Sequence, residues 1–168
     1  MDNSDIEELL DEARTLFEGS GTNFEEGLDV DDPALLQLRK ACRLIDAAQF
    51  LGQENGYYTV IIEASFAGIE RSIQFYLLDT ELLHEDEYVD HEEVYQRGED
   101  AGLYRREFAD KLTNLWRNNR SDTYYREGIG TEDRAQRMLE LATAVHSHIL
   151  QLAGESHECI CNRLESES

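Results

Sequence analysis

Apolar residues recur every three or four positions along most of the chain, the period of an α-helix buried on one side. In the first such segment Ile6, Leu9, Leu10, Ala13, Leu16 and Phe17 share a stripe, and Ser4 with Glu7 has the spacing of a capping box. A run rich in Gly and Asp follows as far as Asp32 and reads as a linker. Asp32 as N-cap and Pro33 at the first helical position then open a new helix. There Leu35, Leu38, Ala41, Cys42, Ile45 and Ala48 keep the helical period as far as Gly52. The next run, from Tyr57 to Asp79, is apolar on more than one face and carries Ala64, Ala67 and Gly68, where a neighbouring helix can approach closely. It is the expected central helix.

Residues 80–102 are polar and acidic, which suits a long connection with room for one short helix; its His84 and His91 read as surface histidines. A further helix is expected from about Leu103, stacking Tyr104, Phe108, Leu112 and Leu115, with Trp116 widening the stripe. The last helix opens with Thr131 as N-cap, carries Ala135, Met138, Leu139, Ala142, Val145, His146, Ile149 and Leu152, and ends at Gly154. His146 lies on this stripe with His148 beside it, and both read as partly buried, hydrogen-bonded histidines. The pattern predicts an all-α protein. An antiparallel four-helix up-down bundle is expected over residues 32–154, preceded by a short amphipathic helix and acidic linker over 1–31 and followed by a tail over 155–168.

Composition adds the setting. The formal net charge is -22, and of 15 basic residues only Lys40 and Lys111 are lysine. Such a balance suggests a halophilic source, where carboxylates keep a surface hydrated and monomers apart. No apolar run approaches the roughly 18 to 20 residues needed to span a bilayer, and "MDNSDIEELL" has no basic leader, so a cytoplasmic protein without membrane contact is expected. Cys42, Cys159 and Cys161 are odd in number, which argues against a disulfide framework. His157, Cys159 and Cys161, in "HECIC", form half of a metal site; two further ligands at recognisable spacing are missing, so neither metal nor other cofactor is expected.

The charge balance reverses in one window. Between Tyr104 and Arg126, Arg105, Arg106, Lys111, Arg117, Arg120 and Arg126 face only Glu107, Asp110 and Asp122. Arginine forks, the amides of Asn118 and Asn119, and the hydroxyls of Tyr124 and Tyr125 are groups that hold phosphates and stacked bases. Within one helix, Arg117 and Asp122 would stand about 140° apart. The turn-like "SDTYYREGIG" instead predicts that the helix ends just after Arg117 and that a bend returns Asp122 and Tyr124 over it.

The run Arg117-Asn118-Asn119-Arg120-Ser121-Asp122-Thr123-Tyr124, at the end of the third long helix, resembles the motif of HEPN domains of prokaryotic toxin–antitoxin and nucleotidyltransferase-associated proteins. That motif is Arg, four to six residues, then His, in one branch His-x-Tyr. Arg117, Asn118 and Tyr124 match; Asp122 stands where the histidine is expected. The resemblance covers roughly Pro33 to Leu152. It implies a homodimer binding RNA or nucleotide around Arg117, Asn118, Arg120, Tyr124, Tyr125 and Arg126. If active, such a protein is a metal-independent endoribonuclease with Arg117 and Asp122 as its catalytic residues. An aspartate is ionised at neutral pH and cannot donate a proton, so activity is expected to be lost or weak. The branch ending in tyrosine implies a nucleotidyltransferase partner modifying Tyr124. A dimeric scaffold without nucleic-acid contact is the plainer alternative, in keeping with the acidic surface.

Overall fold

The computed structural model describes residues 3–19, 25–54, 56–121, 130–154 and 159–161. It is all-helical, in the order α1 (Asn3–Glu18), α2 (Pro33–Gly52), α3 (Tyr58–Asp79), α4 (His91–Asp100), α5 (Arg106–Asn118) and α6 (Glu132–Ala153). Among the described residues there is no strand, and no helix is long and apolar enough to cross a membrane.

The expected boundaries have identifiable causes. Asp32 Oδ1 accepts from the Ala34 and Leu35 amides at 2.8 and 3.1 Å, and Pro33 sits at the first helical position. Thr131 Oγ1 accepts from the Arg134 amide at 3.3 Å, and Gly154, with φ 81, ends α6. Two boundaries differ. The first helix begins at Asn3, ahead of the expected cap at Ser4, and α5 begins at Arg106 because Leu103 is spent in the preceding turn, 3% exposed with its amide on the Gly98 carbonyl.

The core is built on α3. Ile61, Ile62, Phe66, Ile69, Ile73, Phe75 and Leu77 are buried all round it, as expected of a central helix. Most of its packing is against α2 and α6. Helix α2 runs antiparallel to α3, and at Gly68 a methyl group would lie 3.2 Å from Ile45, so the missing side chain sets the close approach. Helix α6 follows α3 in the same direction, from Leu139 beside Tyr58 to His146 beside Ser72. Short helix α4, capped by Asp90, lays His91 and Tyr95 against Glu70, and α5 returns along it. Mid-α2, mid-α6 and the segment 159–161 come together, with His146 beside Ser72 in the second half of α3.

Candidate metal centre

Cys42 and His146 are on the inward stripes of α2 and α6, at 0% and 4% exposure. Beyond α6 the chain returns so that Cys159 and Cys161 meet them. The His146 Nε2 lies 3.6 Å from Cys42 Sγ, 3.4 Å from Cys159 Sγ and 3.4 Å from Cys161 Sγ, and Cys42 Sγ lies 3.3 Å from Cys159 Sγ. All four ligating atoms fall within 4.8 Å of one another. Four ligands around one tetrahedral zinc, at about 2.3 Å to sulfur and 2.0 Å to nitrogen, stand about 3.8 Å apart for a sulfur pair and 3.5 Å for sulfur with nitrogen. The three nitrogen–sulfur distances match that spacing, while the Cys42–Cys159 sulfur pair, at 3.3 Å, is closer than a zinc-bound one. The cysteines are free thiols, and 3.3 Å between sulfurs is well beyond a disulfide bond of about 2.05 Å.

The tautomer of His146 follows from its neighbour. Ser72 donates its only hydroxyl proton to the Gly68 carbonyl at 2.8 Å, so its oxygen accepts from His146 Nδ1–H at 2.9 Å. The bare lone pair of the imidazole is therefore on Nε2, aimed at the three sulfurs, and the Ser72 hydroxyl holds the ring in that orientation. Among the sulfurs, hydrogen bonds from Cys161 and Cys42, with the Cys161 amide, hold the Cys159 thiol far below its ordinary range. Cys42 is pushed up to about 12, first by its hydrogen bond to Cys159, and Cys161 is raised for the same reason. One thiolate thus waits in the cluster, and a cation would favour the other two.

Three thiolates and an imidazole are soft and borderline donors in a closed, four-ligand set, the composition of structural zinc sites. The expected shortage of ligands for "HECIC" therefore does not hold: α2 and α6 supply the two that local spacing could not show. His157, the third candidate in that motif, lies outside the described residues. Between the two cysteines, Ile160 is 6% exposed and packs on Gly27, where a Cβ would come within 3.0 Å of Ile160 Cδ1 and φ is +82. The Gly27 carbonyl accepts from Arg39 and that of Glu26 from Arg43. Segment 159–161 is thus clamped between the helices and the linker that precedes α2.

A family model for a domain of unknown function, DUF8154, matches residues 1–161. The chain belongs to this family. No curated protein and no solved structure matches it. The DUF8154 span takes in α1 and all four residues of the cluster, beyond the range of the HEPN resemblance, to which nothing in these comparisons links the chain.

In this DUF8154 chain the arginine-rich end of α5 is arranged differently from the cysteine cluster. Arg117 forms a fork with Glu92 of α4, Nε to Oε1 at 2.7 Å and Nη2 to Oε2 at 2.5 Å, which lowers the Glu92 carboxyl below its ordinary range. Arg120 pairs with Glu63 at 3.3 Å and lies over the Trp116 ring at 5.5 Å, while the Asn119 amide donates to the same carboxylate at 2.9 Å. Asn118 closes α5, and a wider turn follows over residues 119–121. The two cations that the sequence aims at phosphates already face carboxylates. Asp122, Tyr124, Tyr125 and Arg126 lie outside the described residues, as does the bend expected over Arg117.

His91 is more than a surface histidine. Its Nδ1 is 2.7 Å from Glu70 Oε2, its ring stacks on Trp116 at 5.1 Å, and Glu70, 9% exposed, also accepts from Tyr95 at 2.8 Å. Both oxygens of the buried Glu70 carboxylate are thus partnered, and the set reads as a network joining α3, α4 and α5.

Proposed function

We propose that this protein binds one zinc ion through Cys42, His146, Cys159 and Cys161, and that the ion fastens the C-terminal segment to α2 and α6. The convergence of four ligating atoms from three separate parts of the chain carries this reading. With all four positions filled by side chains, no place is left for water or substrate, so the ion's role is structural. Zinc content after purification, without metal-affinity resin and after incubation with zinc and dialysis, tests it. One zinc per chain is expected. Cobalt substitution is expected to give the intense visible bands of tetrahedral cobalt with thiolate ligands. Zinc well below one per chain, or full zinc retained by Cys42→Ser and Cys161→Ser, would sink the proposal.

A second reading keeps the expected RNA, nucleotide or nucleotidyltransferase-partner role at the end of α5, on an α2, α3, α5, α6 up-down bundle. The guanidinium of Arg120 stacked over Trp116 beside Arg117 favours it, since such a pair can take a base or phosphate if Glu63 and Glu92 release it. RNA binding in high potassium chloride that disappears with Arg117→Ala supports this role; equal affinity in wild type and variant removes it.

A further inference from the structure

The helix α1 has no place in the core. Its stripe of Ile6, Leu9, Leu10, Leu16 and Phe17 faces solvent, with Leu16 78% and Phe17 92% exposed, and only Ala13 among its described side chains is half-buried. A short amphipathic helix with an uncovered stripe is marginal alone in water and gains its stability by burying that face. The helix is also acidic: Asp5, Glu7, Glu8, Asp11, Glu12 and Glu18 stand against Arg14 alone.

A groove of about 450 Å³ elsewhere on the surface has complementary character. Its floor is Ile62 and Phe66 of α3 with Met138 and Leu141 of α6, and Leu115 of α5, 42% exposed, forms one wall. Arg134 and Arg137 line it, with no carboxylate among its described lining residues. Arg137 is bonded to Glu140, one turn further along α6, in an exposed pair of small worth that can rearrange. The other large apolar hollow, around Leu44, Ala47 and Phe50, carries Glu25, Glu26 and Asp46 beside Lys40, Arg43 and Arg71, so its charges cancel and it does not select an acidic helix.

We propose that the apolar stripe of α1 docks in the α3–α5–α6 groove of a second copy of this chain, giving a dimer by exchange of N-terminal arms. The chain's own α1 is poorly placed for that groove. Its tether is fixed by Glu25 to Gly27 at Arg39 and Arg43, in the hollow that Arg71 lines. Arg71 is about 140° round α3 from Phe66 and about 180° from Ile62. Six residues separate Glu18 from Glu25, a reach of at most about 25 Å, whereas the way round a bundle of helices about 10 Å apart is roughly 30 Å. A second copy meets no such limit. This inference stands apart from the metal reading.

The test is the mass of the full chain in solution, by light scattering and sedimentation at 10 to 100 μM in dilute and in molar potassium chloride. A mass of twice 19.3 kDa is expected. Leu9→Asp with Leu16→Asp is expected to leave a folded monomer whose melting temperature is lower than the wild type's and no longer depends on protein concentration, because neither side chain packs on the rest of its own fold. Arg134→Glu with Arg137→Glu is expected to weaken the dimer at least tenfold. Mixing those two double variants should restore a heterodimer, since one intact arm and one intact groove remain. A monomeric wild type, or a dimer that survives the Leu9 and Leu16 changes, would overturn the proposal; the first of these is also what α1 folding back on its own chain would give.

Discussion

The cysteine cluster and the arginine-rich end of α5 pose opposite problems of reading. At the end of α5 the chemistry is dense in the sequence, with arginines, amides and tyrosines within a few residues, yet the fold gives Arg117 to Glu92 and Arg120 to Glu63. At the cysteine cluster the chemistry is sparse in the sequence, with Cys42 and His146 104 positions apart, yet the fold sets them 3.6 Å from each other. Local density of polar groups measures how many partners a segment needs. Convergence of groups from distant helices has no such local cause, and three sulfurs gathered round the bare nitrogen of one imidazole are a donor set that a shared metal would use.

The largest test of this contrast is the stability of the two regions. Cys42→Ser, or removal of zinc from the wild type with a strong chelator, is expected to lower the melting temperature by on the order of 10 °C or more, because binding energy at a structural metal site is folding energy. The chelated wild type guards against a simple packing effect of the substitution. Arg117→Ala is expected to leave the melting curve where it was, since its fork with Glu92 is 57% and 37% exposed and screened by solvent. A chelator that leaves the melting temperature unchanged, or an Arg117 variant that melts early, would reverse the contrast.

Much of the fold was legible because it is governed by periodicity and caps. The stripe from Leu38 to Ala48, the caps at Asp32 and Thr131, and the apolar surround of α3 each follow from local rules. The Cys-x-Cys half of the metal centre was also visible. Its other half was hidden because cysteine and histidine at inward positions of α2 and α6 satisfy the same apolar pattern as any core residue. The available signal was that both are ligand types on stripes facing one core, while "HECIC" lacked partners. The partners of Arg117 and Arg120 were hidden for another reason: Glu92 and Glu63 are two carboxylates among 37 acidic residues, and nothing local marks them.

A finer test lies behind His146. Ser72 touches no sulfur, but it accepts the Nδ1 proton and so holds Nε2 toward the cluster. Ser72→Ala is expected to weaken zinc binding by about 10- to 100-fold in chelator competition, the usual loss when a supporting partner is removed. The cobalt spectrum should keep its tetrahedral form, because the four ligands remain. Unchanged affinity would mean that packing alone orients the imidazole, and a spectrum losing its tetrahedral bands would make Ser72 part of the ligand geometry itself.

The smallest expected effect belongs to the end of α5 and can be read at a single carboxyl. The fork from Arg117 lowers the Glu92 pKa in the folded protein relative to its ordinary value of 4.5. A carboxylate lowered in this way adds stability that is fully present above that ordinary value and is lost as pH falls through the folded one. Following Glu92 by carbon-detected NMR while acid is added should show it titrating below 4.5, and Arg117→Ala should return it toward that value. Added salt should narrow the difference, since the pair is open to solvent. If Glu92 titrates the same with and without Arg117, the fork is not populated in solution. Arg117 would then be available to an anionic ligand, and the second functional reading would gain what the first contrast denies it.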